Sequence, residues 1–161
     1  MKARVLLCLV GAVTLIGCIT DMTPFEHGLS DSSRKALIAS EQTAFKEQLV
    51  ANVVDTLGSS WYVKVVGLGD LETESTDQYT AIVLITAMRG GKLDGRVFDY
   101  LTGDPSDDRV LVYYTRGTED PLPERYVPVL AVDSISSASR DGRTAAMVTE
   151  IVAFVQARDT E

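Results

Sequence analysis

The chain has 161 residues, 45% of them hydrophobic, and a formal charge of −8 at pH 7. This length supports one ordinary hydrophobic core, and the acidic balance disfavours binding to nucleic acid, which is a polyanion. Two cysteines and one histidine are too few for a metal site built from Cys and His ligands.

The first feature along the chain is a short apolar segment with a basic start. Lys2 and Arg4 precede the apolar run Val5–Ile16, which is followed by Gly17 and Cys18. A transmembrane helix needs roughly 20 apolar residues, so the run is too short to span a bilayer. The whole of residues 1–18, ending in Leu-Ile-Gly-Cys, resembles a bacterial lipoprotein signal peptide with its lipobox.

This resemblance implies that residues 1–17 are removed and that Cys18 carries diacylglycerol and a further acyl chain such as palmitate. Two or three chains form an anchor that rarely leaves the bilayer. We therefore expect an exported protein, held at the cell membrane or the outer membrane by the lipid on Cys18. Residues 18–33 are predicted to be the lipidated cysteine and a polar tether.

Cleavage also changes the inventory of charged and reactive groups. It would remove two basic residues and no acid, which leaves 13 basic and 23 acidic residues, a charge of −10. Cys8 would leave with the signal and Cys18 would be lipidated, so the folded domain has no thiol, disulfide or Cys-ligated metal. His27 lies in the predicted tether, where we expect it to be solvated. We therefore predict no catalytic residue and no metal site.

Residues 34–158 are predicted to form one domain, followed by a tail at 159–161. Short apolar runs alternate there with helical patterns, which is typical of parallel βαβ units. The predicted strands are Ala36–Ala39, Trp61–Val66, Ala81–Ala87, Val110–Tyr114 and Val127–Val132. Helices are predicted from Thr43 to Gly58, from Leu93 to Gly103 and after Gly142, with only a turn between Gly67 and Asp77. The continuously apolar third strand belongs in the middle of the sheet, and Pro128 places the fifth at an edge.

This order of elements resembles the flavodoxin-like fold. The resemblance covers Lys35 to about Arg158 and is best from Asp77 to Gly117, in the stretches DQYTAIVLITAMRGGKLDGRVFDYL and RVLVYYTRG. It implies an α/β fold with three layers, a doubly wound parallel sheet of five strands in the order 2-1-3-4-5. A ligand would then lie at the carboxyl ends of strands one and three.

The ligand implied by the resemblance is flavin mononucleotide (FMN), and the first loop of its site would hold the phosphate. Ser40 and Thr43 occupy that loop and could donate hydrogen bonds beside a helix N-terminus. The loop lacks glycine, however, and Glu41 would repel a phosphate by about 1 kcal/mol or more unless it points away. We favour the alternative that Ser40 or Thr43 caps the helix.

The second and third loops would contribute an unusual group of basic and glycine residues in an acidic protein. They are Arg89, Gly90, Gly91 and Lys92 after the third strand, and Arg116 and Gly117 after the fourth. One interpretation is a basic rim that binds an anion or cofactor; the alternative, which we favour, is a turn with solvated charges. Tyr114 and Tyr126 could stack on a flavin ring, although Tyr114 could equally lie in the core.

Two classes of function follow from these residues. In the first, the chain is a membrane-anchored lipoprotein whose degenerate flavodoxin-like domain binds no cofactor and acts as a non-catalytic binding or assembly module for another envelope protein. In the alternative, it is an FMN-dependent electron carrier or quinone reductase at the envelope surface. The missing glycine and Glu41 favour the first. A carboxylate metal site at Asp104, Asp107 and Asp108 is less favoured than turn and cap roles.

Overall fold

The computed structural model describes residues 20–90, 92–103, 108–116, 131–136 and 144–160. Within these residues, six strands form one sheet. The strands are β1 (Phe25–His27), β2 (Lys35–Ser40), β3 (Tyr62–Gly67), β4 (Ala81–Ala87), β5 (Val110–Arg116) and β6 (Ala131–Ser136). The α-helices are α1 (Ala44–Leu57), α2 (Gly95–Gly103) and α3 (Thr144–Ala157).

The strand order is β1-β3-β2-β4-β5-β6, and β2 to β6 pair in parallel with one another. Counted from β2, this is the order 2-1-3-4-5 that the resemblance to the flavodoxin-like fold implies, so that topology is confirmed. β4 lies between β2 and β5, and its first six residues are all buried. Burial on both faces explains why its sequence is a continuous apolar run.

Helices cover both faces of the sheet and enclose two cores. α1 and α3 pack on one face, around Ile38, Leu49 and Ile151. α2 and the 3₁₀ turn Leu68–Asp70 cover the other face, around Leu84 and Val97. Because the helices after β2 and β4 lie on opposite faces, the two loops that leave these strands diverge at the carboxyl edge of the sheet.

The ends of α1 follow directly from its sequence. The Oγ1 of Thr43 accepts a hydrogen bond from the Lys46 amide at 3.2 Å, which makes Thr43 the N-cap. Gly58 ends the helix with a φ of 63°, a left-handed conformation that glycine adopts readily. In between, the apolar face is buried, as the four-residue spacing predicts.

The segment before β2 differs from its prediction as a free polar tether. Phe25–His27 form β1, which pairs antiparallel to β3, and Met22 is buried. His27 is half-buried rather than solvated, and its Nε2 is buried without a hydrogen-bond partner among the described residues. The segment from residue 20 onward is therefore part of the domain. Its strand β1 covers an edge that β3 would otherwise leave unpaired.

The last strand also lies further along the chain than predicted. β6 runs over Ala131–Ser136 instead of Val127–Val132, with Ala131 opposite Leu111 and Ser136 opposite Arg116. An edge strand tolerates polar residues, which is why the polar second half of β6 was missed in the sequence. Its predicted edge position is confirmed, whereas Pro128 lies outside the described residues.

The predicted tail also contacts the domain, because Asp159 forms an ion pair with Arg34 at 2.8 Å. None of the described helices is both long and apolar enough to cross a membrane.

Candidate functional site

The candidate site lies where β2 and β4 end, at the carboxyl edge of the sheet. Ser40 and Glu41 leave β2 there, and Ala87 ends β4 one strand away. The amide of Glu41 donates to the carbonyl of Ile85 at 3.3 Å, which ties the two strand ends together. This edge is where the resemblance to the flavodoxin-like fold implies a ligand.

Glu41 is the central group of this site. Its side chain is only 1% exposed, although it is a carboxylate in a loop. The Oε1 atom accepts hydrogen bonds from Thr86 Oγ1 at 3.1 Å and from the Ala87 amide at 3.3 Å. The carboxylate therefore points across the sheet toward the end of β4 and not into solvent.

Two cations complete the environment of Glu41. Lys46 Nζ lies 2.7 Å from Oε2, and its side chain is also buried, at 2% exposure. Arg89 donates from Nη1 to Oε1 and from Nη2 to Oε2, both at 2.8 Å. Such a two-point contact between guanidinium and carboxylate is both strong and directional. We call Glu41, Lys46 and Arg89 the internal ion cluster.

The electrostatics of the internal ion cluster favour an ionised Glu41. Burial alone would raise the pKa of this carboxyl, but the hydrogen bonds from Arg89 and Lys46 outweigh it and lower the pKa to about 2. Burial lowers the pKa of Lys46, and Glu41 opposes that shift. The hydrogen bond to Glu41 raises the pKa of Arg89. The carboxylate is thus a permanent anion above the acid range.

The two hydroxyl groups predicted in this loop are used within it. Ser40 is fully buried, and its Oγ donates to the carbonyl of Glu41 at 2.9 Å. Thr43 caps α1 through its Oγ1. The capping alternative therefore describes Thr43, and Ser40 stabilises the turn that buries Glu41.

The second loop forms a tight turn whose basic residues separate. Arg89 and Lys92 exchange backbone hydrogen bonds of 2.9 and 3.1 Å, and Gly90 has a φ of 57°. Arg89 pairs its guanidinium with Glu41 although its side chain is 48% exposed, and Lys92 is exposed as well. The two cations of the predicted rim therefore differ in pairing, since Arg89 binds Glu41 and Lys92 forms no ion pair with the described residues.

The other predicted site residues contribute less to this edge. The backbone of β5 reaches it, since the Met88 amide donates to the carbonyl of Thr115 at 2.8 Å. Tyr114 is buried in the core on the α2 face, so it does not stack on a ligand. Outside the described residues lie Gly91, Gly117, Tyr126, Asp104, Asp107 and the side chain of Arg116. No group of three metal-binding side chains occurs in the part of the chain that is described.

A second layer covers the site from the N-terminal side. We call Thr20–Met22 the N-terminal strap. The Gln42 amide donates to the Thr20 carbonyl at 2.7 Å, and the Met22 amide donates to the Ser40 carbonyl at 3.0 Å. The strap thus runs antiparallel over the first loop, with Asp21 opposite Glu41.

Asp21 fixes the strap through its side chain. Its carboxylate accepts hydrogen bonds from Arg96 Nη1 at 2.7 and 2.9 Å and from the Gly69 amide at 3.2 Å. Arg96 also binds Asp94 through Nε at 2.9 Å. The strap is therefore attached to the loop after β3 and to the first turn of α2.

Two glycines permit this close approach. A Cβ atom on Gly67 would lie 2.6 Å from the Cβ of Asp21, and one on Gly69 would lie 2.8 Å from its Oδ2. Neither distance is compatible with normal packing. Larger residues at these positions would displace the strap.

Sequence reasoning did not identify three members of this site. Asp21 and Arg96 give no local signal, because their contact joins distant parts of the chain. Lys46 does give a local signal, because its four-residue spacing from Val50 places it on the apolar face of α1. Lys46, Val50 and Val54 are all buried on that face. A lysine on a buried helix face requires an acidic partner. Glu41, five residues earlier in the chain, is that partner.

These residues do not fit the phosphate of FMN. A phosphate in the first loop needs donors that have no other anion to bind. Here the carboxylate of Glu41 takes both nearby cations and the Ala87 amide, and the N-terminal strap lies over the loop. The donors and cations described around the first loop are thus already bound within the chain.

Comparison with known proteins identifies the fold but not a family. No family model matches the chain, and no curated protein matches it. A flavodoxin from the domain Archaea superposes with a TM-score of 0.56 at 11% identity, covering 78% of this chain and 99% of that one. Oxidised flavodoxin 2 from Bacillus cereus gives 0.55 at 18% identity, with 77% and 99% covered.

A flavodoxin described as WrbA-like, from Agrobacterium tumefaciens, superposes with a TM-score of 0.53 at 8% identity, covering 80% of this chain and 99% of that one. Identities this low show a shared architecture and leave the chemistry of the site to its own residues. Together with the strand order, these similarities show that the chain has the flavodoxin-like fold.

Proposed function

We propose that this protein is a lipid-anchored envelope protein whose flavodoxin-like domain acts as a binding or assembly module without flavin. The observation that carries the proposal is the burial of Glu41 between Lys46 and Arg89. In this arrangement the loop that would hold a phosphate holds an internal anion. The domain has the flavodoxin-like fold, but ion pairs of Glu41 with Lys46 and Arg89 stand where the cofactor phosphate would bind.

The energetic argument rests on what flavin would have to displace. Binding a phosphate in the first loop would bring its charge beside the Glu41 carboxylate, which is only 1% exposed. Turning Glu41 away would leave the buried Lys46 without its partner, which costs several kcal/mol for a buried ion. The N-terminal strap, held by Asp21 and Arg96, would also have to move.

The test is a titration with FMN, followed by quenching of flavin fluorescence. The protein should begin at residue 18 with Cys18→Ser, because a shorter chain would lose the strap and β1. We expect no saturable quenching. Saturable quenching by the unaltered loop would contradict the proposal and would favour the electron carrier or quinone reductase.

A matched pair of variants makes this experiment more informative. Glu41→Gln removes the internal anion and keeps its shape, so we expect it to bind inorganic phosphate or FMN more tightly than the parent protein. Glu47→Gln removes an exposed acid from the first turn of α1 and should change binding little. Equal effects of the two variants would show that Glu41 has no special role in excluding the phosphate.

Lipidation is tested separately on the full chain in a bacterial host. Mass spectrometry of the membrane fraction should detect a mature N-terminus at Cys18 carrying acyl chains, and labelled palmitate should be incorporated. Cys18→Ser should abolish both. An intact signal segment with an unmodified Cys18 would contradict the anchor.

The partner is sought with the anchored protein in its own membrane. The proposal predicts an envelope protein that is crosslinked and co-purified with the full chain. The Cys18→Ser variant keeps the fold but is not attached to the membrane, so it should capture much less of this envelope protein. Capture of the same proteins in equal amount by the soluble variant would show that anchoring is not part of the function.

A further inference from the structure

We propose that the carboxyl edge of the sheet faces the bilayer, and that Lys92 and Phe98 contact the lipid headgroup layer. The inference rests on the proposed lipidation of Cys18 and adds to it a fixed orientation and a second membrane contact. The occupant of this surface is a phospholipid bilayer with anionic headgroups.

The first argument is the short length of chain between the anchor and the fold. The carbonyl of Thr20 accepts a 2.7 Å hydrogen bond from the Gln42 amide, so a residue only two positions after Cys18 is bonded to the domain. Two residues span at most about 7 Å. The headgroup layer is itself about 5 to 8 Å thick on each side of a bilayer. The edge that holds the strap therefore lies at the membrane surface.

The second argument is the character of the surface beside the strap. Lys92 and Phe98 are exposed, Phe98 at 37%, and together with Leu93 and Gly95 they line a largely apolar cavity of about 250 Å³. An exposed aromatic ring beside a lysine is a combination suited to the boundary between headgroups and acyl chains.

The third argument is the distribution of charge. In the second loop the charge of Arg89 is offset by its pair with Glu41, which leaves Lys92 as a basic group for an anionic surface, in a mature chain with a charge of −10. Lys92 forms no ion pair within the described part of the chain. Anionic headgroups attract this loop and repel the acidic remainder of the domain.

The strap connects the anchor to this surface directly. Asp21 is bonded to Arg96, which lies in the first turn of α2 between Gly95 and Phe98. The domain is therefore held at two neighbouring points and not by a loose tether. The amino edge, with Leu29 at 69% exposure, lies at the opposite end because β1 runs antiparallel to β3.

The experiment uses the full, lipidated protein in vesicles of phosphatidylethanolamine and phosphatidylglycerol. Since the mature domain has no free thiol, one introduced cysteine can carry a fluorophore. Gly95→Cys reports the carboxyl edge, where an added Cβ meets nothing within 4 Å. Ser59→Cys reports the amino edge, where the residue is also exposed. Quenching by nitroxide-labelled lipids measures how near each fluorophore lies to the bilayer.

We expect quenching at position 95 to exceed that at position 59 by about twofold or more, because the fluorophore lies within the headgroup layer only at the carboxyl edge. Lys92→Glu and Phe98→Ser should each reduce quenching at position 95, whereas Leu29→Ser, at a more exposed apolar residue of the other edge, should not. Equal quenching at the two positions would overturn the proposal. No effect of Lys92→Glu or Phe98→Ser would remove the second contact.

The outcomes distinguish this inference from the anchor itself. Flotation with the vesicles and an acylated Cys18, combined with equal quenching, would refute only the orientation. An unmodified Cys18 and loss of flotation would refute the anchor and, with it, the orientation.

Discussion

The carboxylate of Glu41 and the guanidinium of Arg89 form a two-point pair, 2.8 Å at each contact, across the ends of β2 and β4. Glu41 comes from the loop after β2 and Arg89 from the loop after β4. These are the two loops that would have to open around a ligand at the switch point of the sheet. The pair instead ties the two loops to each other. The buried Lys46 forms a second ion pair with Glu41.

The first prediction concerns the stability that this cluster contributes. Glu41→Gln leaves Lys46 buried and opposite a neutral group, so we expect a loss of about 3 to 5 kcal/mol in the free energy of unfolding. Urea denaturation of the soluble protein measures this loss. Glu47→Gln, in an exposed position one turn away, should cost under about 1 kcal/mol.

A double variant separates the ion pair from a general packing defect. Lys46→Met removes the second buried charge, so Glu41→Gln should cost much less in that background than in the parent protein. Equal costs in both backgrounds would contradict the role of Lys46 as the partner of Glu41.

The second prediction is the pH dependence of stability. The pKa of Glu41 is about 2 in the folded protein and 4.5 in the ordinary carboxyl. The stabilisation is therefore complete above pH 4.5 and is lost as the pH falls toward 2, in total about 3 kcal/mol. Denaturation at a series of pH values should show that the parent protein is destabilised more steeply than Glu41→Gln over this range.

Asp94 contributes to the same acid limb, because its hydrogen bonds with Arg96 lower its pKa. The difference between parent and Glu41→Gln curves isolates the part that belongs to Glu41. Parallel curves across the acid range would contradict the assignment.

The parts of the fold that the sequence predicts are those governed by local patterns. The apolar spacing of α1, its cap at Thr43 and its stop at Gly58 are all local, and so is the buried run of β4. The alternation of strands and helices predicted a parallel sheet, and the order of its five strands was implied by the resemblance to the flavodoxin-like fold.

The parts that were missed depend on contacts between distant residues. β1 has only three residues and forms because the edge of β3 is available to it. The strap is ordered by Ser40, Gln42 and Arg96, none of which lies near it in the chain. For Glu41, the sequence showed the conflict with a phosphate, but the partners that bury its carboxylate become apparent only in the folded arrangement.

The third prediction concerns the close contact beneath the strap. Gly67→Ala places a Cβ 2.6 Å from that of Asp21, so the strap must shift, at a cost of about 1 to 3 kcal/mol. Gly95→Ala is the matched control, because nothing lies within 4 Å of its added Cβ. Thermal denaturation of both variants should show a lower melting temperature only for Gly67→Ala. A similar melting temperature for the two would show that the strap does not pack on Gly67.

The fourth prediction tests how the strap is held. Arg96→Gln removes the two hydrogen bonds to Asp21, and a partly exposed pair of this kind contributes about 1 kcal/mol. Hydrogen exchange should therefore become several-fold faster at the amides of Met22 and Gln42, which bond the strap to the first loop. Arg34→Gln removes an exposed ion pair with Asp159 at the other end of the domain and should leave both amides unchanged. If Arg96→Gln also left them unchanged, backbone pairing with the first loop would hold the strap without help from α2.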